Sequence, residues 1–440
     1  MVSGIFSPGD KIRVSNTGAD CVVEELLGAG GQGEVYRITV DGAGHALKWY
    51  YPHTATREQL ETLVELIQKG PPDDRFLWPT DLMAEDSKPG FGYLMPLRPL
   101  RYKGISDLLV RNVSSSLKSL VTACANISDA FLQLHSKGWC YRDISQGNMF
   151  FDPDSGDILV CDNDNVGVDG GPTSVLGTPR FMAPEVVRGE ALPSMQTDLF
   201  SLAVMLFFVL VNNHPLDGRK EFEIHCFDRP AMERLYGWEP VFIFDPHDRS
   251  NEPVPGYQDN ALAFWPVYPA FLRDLFIDSF TKGLRDPVHG RVRETTWRRA
   301  MSRLRDSIFY CGCGAENFFD MARLRAAGGT ADNCWMCNAS LKLPPRIRIG
   351  KNTVVMLNPD SKLFAHHLQD GDTVDFTNPF AEVTSHPADA SRLGLKNVSG
   401  ETWTAVLNDG TVREVPPTRS VALAKGTRIH FGRESGEVRI

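Results

Sequence analysis

Short apolar and β-branched runs closed by Gly, Asp or Pro fill the first hundred residues: Lys11 to Val14, Cys21 to Leu27, Val35 to Val40, His45 to Tyr51 and Tyr93 to Met95. Runs of that length and punctuation predict strands. One stretch breaks the rhythm. Between Thr56 and Lys69 the apolar residues Leu60, Leu63, Val64 and Ile67 recur at three and four, which predicts a helix stopped by Gly70-Pro71. From Ser106 to about Arg305 the pattern is mostly helical, with helices expected over 115–137, 197–212, 268–283 and 294–308. Leu199 to Val211 is almost wholly apolar, but its 13 residues fall short of the ~20 a bilayer crossing needs, so it reads as a buried helix. Past Cys311 short β-prone runs broken by Gly, Asn, Asp and Pro predict a β-domain at about 345–440. No internal repeat or low-complexity segment is visible.

A chain of 440 residues, 42% apolar and 23% charged, is long enough for two to four folded domains. Its net charge of −9 argues against general nucleic-acid or acidic-membrane binding, which want a basic surface. The arginine run Arg291, Arg293, Arg298, Arg299, Arg303 and Arg305 is the local exception and reads as a solvated helix face with at most one structural arginine. The N-terminus, Met1 to Ser7, has no basic start followed by an apolar stretch, so no secretory signal is visible and a cytoplasmic location is expected. Of nine cysteines, five are scattered and read as small core residues, whereas four cluster at 311, 313, 334 and 337.

The segment Gly28-Ala29-Gly30-Gly31-Gln32-Gly33-Glu34-Val35 lies between two strand-like runs. Dinucleotide binding needs a helix right after such glycines, which leaves a hairpin whose bare backbone can lie over nucleotide phosphates. Thirteen residues after Val35, Lys48 ends an apolar strand and can reach the α- and β-phosphates if a helical glutamate holds it. Glu58, Glu61 and Glu65 all lie on the next helix, and Glu61 is preferred because Val64 and Ile67 follow it at three and six positions. In Tyr141-Arg142-Asp143-Ile144-Ser145-Gln146-Gly147-Asn148, an Asp followed five residues on by Asn lets a carboxylate face a hydroxyl while the amide reaches a metal ion. The strand Ile158 to Cys161 then delivers Asp162, a carboxylate able to grip Mg²⁺ between phosphates.

Together with Gly177-Thr178-Pro179, Ala183-Pro184-Glu185 and Asp198 ahead of an apolar helix, these motifs resemble eukaryotic-type (Hanks-type) Ser/Thr protein kinases over about residues 20–305. The resemblance implies a two-lobed fold, ATP with Mg²⁺ as cofactors and a protein substrate. It makes Asp143 the catalytic base, puts Lys48 on the phosphates and Asn148 and Asp162 on magnesium, and pairs Glu185 with Arg291. It also sets Gly28, Gly30, Gly33, Val35, Ala46, Met95, Leu97 and Arg98 around the nucleotide, Met95 behind the adenine and Pro96 to Arg98 as hinge. Arg142, before the base, would meet a phosphate on Thr173 or Ser174. The chain departs from the family at Tyr141 (usually His), at Ser145 (usually Lys) and at Asp162-Asn163-Asp164 (usually Asp-Phe-Gly). A scaffold that binds nucleotide without transfer is the alternative these changes raise. The intact Lys48, Asp143, Asn148 and Asp162 weigh against it.

Cys311-x-Cys313 and Cys334-x-x-Cys337, 20 residues apart, suit one structural Zn²⁺ on four thiolates. The tail, with Gly394 to Asn397, Trp403 and Gly426 to Gly432, resembles forkhead-associated domains. Gly350-Lys351, Ser361 and His366 match their phosphothreonine-binding set only loosely, and His366 and His367 read as ordinary loop or core residues. The whole layout resembles bacterial kinases associated with tellurite resistance, which implies a role in signalling or stress response. Its implied partners are a metal-dependent phosphatase and a von Willebrand-type protein. The expected fold is α+β: an extension over 1–20, lobes over 21–98 and 99–308, a zinc ribbon over 309–342 and an all-β sandwich-like domain over 343–440.

Overall fold

A computed structural model of the chain describes residues 4–15, 18–84, 88–351, 353–369 and 374–440. Met1, Val2 and Ser3, part of the stretch read for a secretory signal, lie outside the described residues. The N-terminal lobe contains β1 (Lys11–Val14), β2 (Asp20–Ala29), β3 (Gly33–Val40), β4 (Ala43–Tyr50), α1 (Arg57–Lys69), β5 (Asp81–Ala84) and β6 (Gly92–Pro96). The sheet closes into a barrel in the order β1-β2-β3-β4-β6-β5, because β1 pairs with both β2 and β5. Lys11–Val14, inside the stretch expected as an extension over 1–20, thus belongs to the barrel. Ile12 and Val14 of β1 point inward at the two-residue strand period, and Phe6 packs edge-on against Trp49 at 4.9 Å between ring centroids.

The same period makes β4 two-faced. Leu47 and Trp49 fill the barrel, while Ala46 and Tyr50 join a second apolar cluster with Met95 and Leu159 on the side of the cleft. Lys48 lies between them and so faces the cleft. Helix α1 starts where Thr56 accepts the N–H of Gln59 at 3.2 Å, and it buries Leu63 and Leu66. Val64 is on the opposite, solvent side.

In the C-terminal lobe the helices Leu117–Ser136, Met195–Val211, Ala270–Arg285 and Glu294–Asp306 enclose one large core. Met195–Val211 is buried on every side at its centre, and among the described residues no helix is long and apolar enough to cross a membrane. The arginine run is less solvated than its composition suggests. Arg291 pairs with Glu185 at 2.8 Å and Arg298, 1% exposed, with Asp129 at 2.6 Å, while Arg305 stacks on Phe376. Helical spacing alone does not reveal these carboxylates, which come from distant segments.

The chain leaves this lobe through a hairpin, Ile308–Tyr310 with Glu316–Phe318, that carries the first cysteine pair. A sandwich of one six-stranded and one four-stranded antiparallel sheet follows, built around Ile347, Leu395, Trp403 and Ile429. It is tied back to the lobe. Asn358 donates to the Ile308 carbonyl at 2.8 Å, Lys118 meets Asp360 at 2.6 Å, and His367 meets Asp306 at 3.1 Å. His367 also accepts the Phe364 N–H, and His366 stacks on Phe364. Ser361 accepts the Asn358 N–H and donates to the Met356 carbonyl, and Lys351 is exposed. These positions do not form a free phosphate-reading set.

Candidate active site and cysteine cluster

The glycine loop is the turn of the β2–β3 hairpin. Gly33 is required by a close approach: a Cβ there would sit 2.0 Å from the Trp49 carbonyl oxygen, whereas Gly28 and Gly30 have open space around them. Below the loop, Val35, Ala46, Met95, Leu97, Phe150 and Cys161 belong to one apolar cluster, a surface suited to a flat base. Arg98 lies 4.2 Å over the Phe150 ring. Phe150 and Cys161 were not anticipated from sequence. Phe150 is legible in hindsight as the residue two after Asn148, which strand alternation turns the same way.

At the polar end, Asp143 Oδ1 accepts the N–H and the hydroxyl of Thr178, both at 2.8 Å. Asn148 Nδ2 donates to the Asp143 carbonyl and to Oδ2 at 2.9 and 3.1 Å. The loop holding them is pinned from below by Asp198, which accepts the N–H groups of Tyr141 and Arg142. Tyr141 fills its site as a ring and donates its hydroxyl to the Cys161 carbonyl. Asp162 adopts left-handed backbone (φ 49°), and its side chain is 39% exposed toward the cleft. Burial and the repulsion of Asp164 and Asp143 push its carboxyl up despite nearby Lys48. Crowded oxygen donors with excess negative charge fit a hard divalent cation such as Mg²⁺.

The structure overturns the assignment of Glu61 to Lys48. Glu61 pairs with Arg57 and Glu65 with Lys69 in solvent, and Glu58 is exposed too. The reason is the rotation of α1: burying Leu63 and Leu66 brings Gln59, at i−4 and i−7, onto the inner face instead. Lys48 Nζ binds Asp164 Oδ2 at 2.8 Å, Gln32 Oε1 at 2.9 Å and Asp162 Oδ1 at 3.7 Å. Burial opposes charge on Asp164, but Lys48 outweighs it and holds the carboxyl below its ordinary range. Asn163 turns inward, donating to the Leu77 and Val160 carbonyls at 3.0 and 2.9 Å.

The four cysteines converge. Cys311 and Cys337 Sγ lie 3.7 Å apart and Cys313 and Cys334 Sγ 3.8 Å apart, and all four lie within 4.8 Å of one another. Thiolates at about 2.3 Å around a tetrahedral Zn²⁺ are about 3.8 Å from each other, whereas a disulfide needs about 2.05 Å. Gly314 (φ 89°) and Asn338 (φ 58°) make the two knuckle turns. The set fits zinc.

A bilobal fold with this cleft defines a phosphotransferase-like class, and the comparisons with known proteins agree. The family model described as "Protein kinase domain" matches residues 21–253, more than half of the chain, so the chain belongs to the protein kinase domain family. It is 29% identical over 193 residues to CBL-interacting protein kinase 4 of Oryza sativa subsp. japonica, covering 40% of this chain and 41% of that protein. It is 31% identical over 126 residues to a putative protein kinase C delta type homolog of Drosophila melanogaster, covering 27% of this chain and 17% of that protein. A putative tyrosine-protein kinase of Caenorhabditis elegans is 25% identical over 142 residues, with 31% and 43% covered. The chain thus spans less than half the length of these relatives.

Proposed function

We propose that the chain is an ATP- and Mg²⁺-dependent protein serine/threonine kinase. The observation that carries the reading is the convergence of Lys48, Asp143, Asn148 and Asp162 in one cleft beneath a glycine hairpin. Asp143 orients the substrate hydroxyl and accepts its proton, and Lys48 offsets phosphate charge, so positioning and charge neutralisation supply most of the acceleration. Bound Mg²⁺ on Asp162 and Asn148 would neutralise the charge that develops on the transferred group. A cavity of about 500 Å³ beside Gly177 and Pro179, lined by Leu176, Met182 and Val186, suits an apolar substrate residue near the acceptor. Thr178, bonded twice to Asp143 at the mouth of the site, supports a Ser/Thr rather than a Tyr acceptor.

Zn²⁺ on Cys311, Cys313, Cys334 and Cys337 would be structural, since four thiolates leave no open position. The division into lobes, ribbon over 309–342 and sandwich over 343–440 follows the same reading. The layout supports a role in bacterial signalling alongside a metal-dependent phosphatase and a von Willebrand-type partner. Arg142 touches the Val168 carbonyl at 3.4 Å and, among the described residues, pairs with no carboxylate, which supports a phosphate on Thr173 or Ser174. Incubating purified protein with labelled ATP and Mg²⁺, with Asp143→Asn as the control, tests the reading. Label on serine or threonine that the variant lacks is the expected result; no label on the wild type refutes it.

A further inference from the structure

In the cleft, Lys48 is buried, 5% exposed at its side chain, and a buried ammonium without a carboxylate is costly. Helix α1 supplies none, because Glu58, Glu61 and Glu65 all face solvent. The carboxylate comes from the other lobe. Asp164, 0% exposed at its side chain, meets Lys48 at 2.8 Å across 116 residues of sequence. Its position is itself braced: Tyr50, two residues after Lys48 on the same strand face, donates its hydroxyl to the same Oδ2. Gln59 of α1 donates to the Tyr50 hydroxyl at 2.9 Å and to the Asp164 carbonyl at 3.2 Å.

We propose that Asp164 is the positioning residue for Lys48, doing from the C-terminal lobe what a helical glutamate does from the N-terminal lobe in the kinases this chain resembles. The assignment rests on the kinase reading above. Asp162, partly exposed and 3.7 Å from Lys48, remains free for the metal, so the two acids of Asp162-Asn163-Asp164 divide the work. The consequence is a different dependence on α1. The helix carries no member of the ion pair and hydrogen-bonds to its surroundings through the neutral Gln59, so the grip on Lys48 forms when the lobes close on each other.

The test measures kcat and KM for ATP in Lys48→Met, Asp164→Asn, their double variant and Gln59→Glu/Asp164→Asn. Because Asp164 acts through Lys48, Asp164→Asn should lower kcat/KM by about 10²-fold, and the double with Lys48→Met should lose no more than Lys48→Met alone. Its Mg²⁺ requirement should match the wild type. Gln59→Glu/Asp164→Asn supplies one carboxylate from α1 at the Tyr50 hydroxyl, one hydrogen bond away from the group that meets the lysine, keeps the net charge, and should recover at least about tenfold of the loss. It also covers the case in which Asp164→Asn alone fails to fold. Wild-type kinetics in a folded Asp164→Asn, additive losses with Lys48→Met, a raised Mg²⁺ requirement, or a folded but unrescued Gln59→Glu/Asp164→Asn would each overturn the assignment. A wild type that transfers no phosphate refutes the function proposed above instead, and MgATP binding by the same variants then decides the role of Asp164, with the same non-additivity and rescue expected.

Discussion

Two small polar clusters hold this chain's chemistry, and they differ in where their partners come from. The four cysteines sit in two close pairs, so each pair's geometry is set by a local turn at Gly314 or Asn338, and only one long-range meeting is needed. The cluster around Lys48 draws Gln32 from a hairpin, Tyr50 from a strand, Gln59 from a helix and Asp164 from the opposite lobe. In the first, spacing along the chain nearly determines the site. In the second, the site depends on how a helix rolls and how two lobes meet.

The largest effect is expected at the local cluster. Structural zinc contributes on the order of 10 kcal/mol in zinc-finger peptides, so chelation or Cys334→Ser should unfold the ribbon. Metal analysis should find one zinc per chain, and hydrogen exchange should show protection of the segment around Cys311 to Cys337 lost with the metal. Metal-free protein with full protection would break the comparison, because the cysteines would then be ordinary packing groups.

Next is the divided triplet. Asp162→Ala should lower transfer by at least about 10³-fold, since a metal ion supplies several kcal/mol of charge stabilisation in the transition state. Its melting temperature should stay near that of the wild type, because the side chain is 39% exposed and packs little. Near-normal activity would mean that Asp164 holds the metal, and the two acids would have to exchange roles.

A third test concerns the foundation of the catalytic loop. His135 lies between Asp198, at 3.2 Å, and Glu294. Burial pushes its pKa down, but the two carboxylates outweigh that and hold it at about 9. A raised pKa stabilises the fold below the unfolded value, about 6.5, and the contribution, about 3 kcal/mol, is lost as pH rises toward 9. Melting temperature should therefore fall between about pH 6.5 and 9 in the wild type and more shallowly in His135→Gln. Equal slopes would show that the histidine is neutral in the folded protein.

Much of the site was legible because kinase-like motifs place chemistry at fixed spacings. The strand period puts Lys48 on the cleft face, whereas Asp143, Asn148 and Asp162 are placed there by motif spacing and by the resemblance to protein kinases. The spacing points to Glu61 only if Leu60, Leu63, Val64 and Ile67 form one apolar stripe, whereas the buried face is Leu63 with Leu66 and Val64 is left in solvent. Gln59 and Glu61 lie about 160° apart around the helix, so the face that buries Leu63 and Leu66 carries Gln59 inward and leaves Glu61 outside. The barrel-closing role of β1 was illegible for another reason: its pairing with β5 joins segments about 70 residues apart, and no local pattern encodes that meeting. The sandwich was readable as strands, but not its tethers to the C-terminal lobe, such as Asn358 and His367.

The smallest expected effect sharpens the contrast most directly. Glu61 and Arg57 form an i,i+4 pair at 2.7 Å with side chains 64% and 91% exposed, a geometry worth about 0.3–0.5 kcal/mol. Glu61→Gln should therefore change stability by no more than that and leave kcat and KM for ATP within about twofold. A large loss of activity with an unchanged melting temperature would mean that α1 rolls during turnover and carries Glu61 inward to Lys48. The helix would have to turn by more than a quarter of its circumference to do so, exposing Leu63 and Leu66, which are now buried. Each buried leucine is worth about 1.5–3 kcal/mol, so the cost of that roll exceeds anything an exposed glutamate could return. The expected outcome is silence at Glu61 beside a severe defect at Asp164, measured in the same assay.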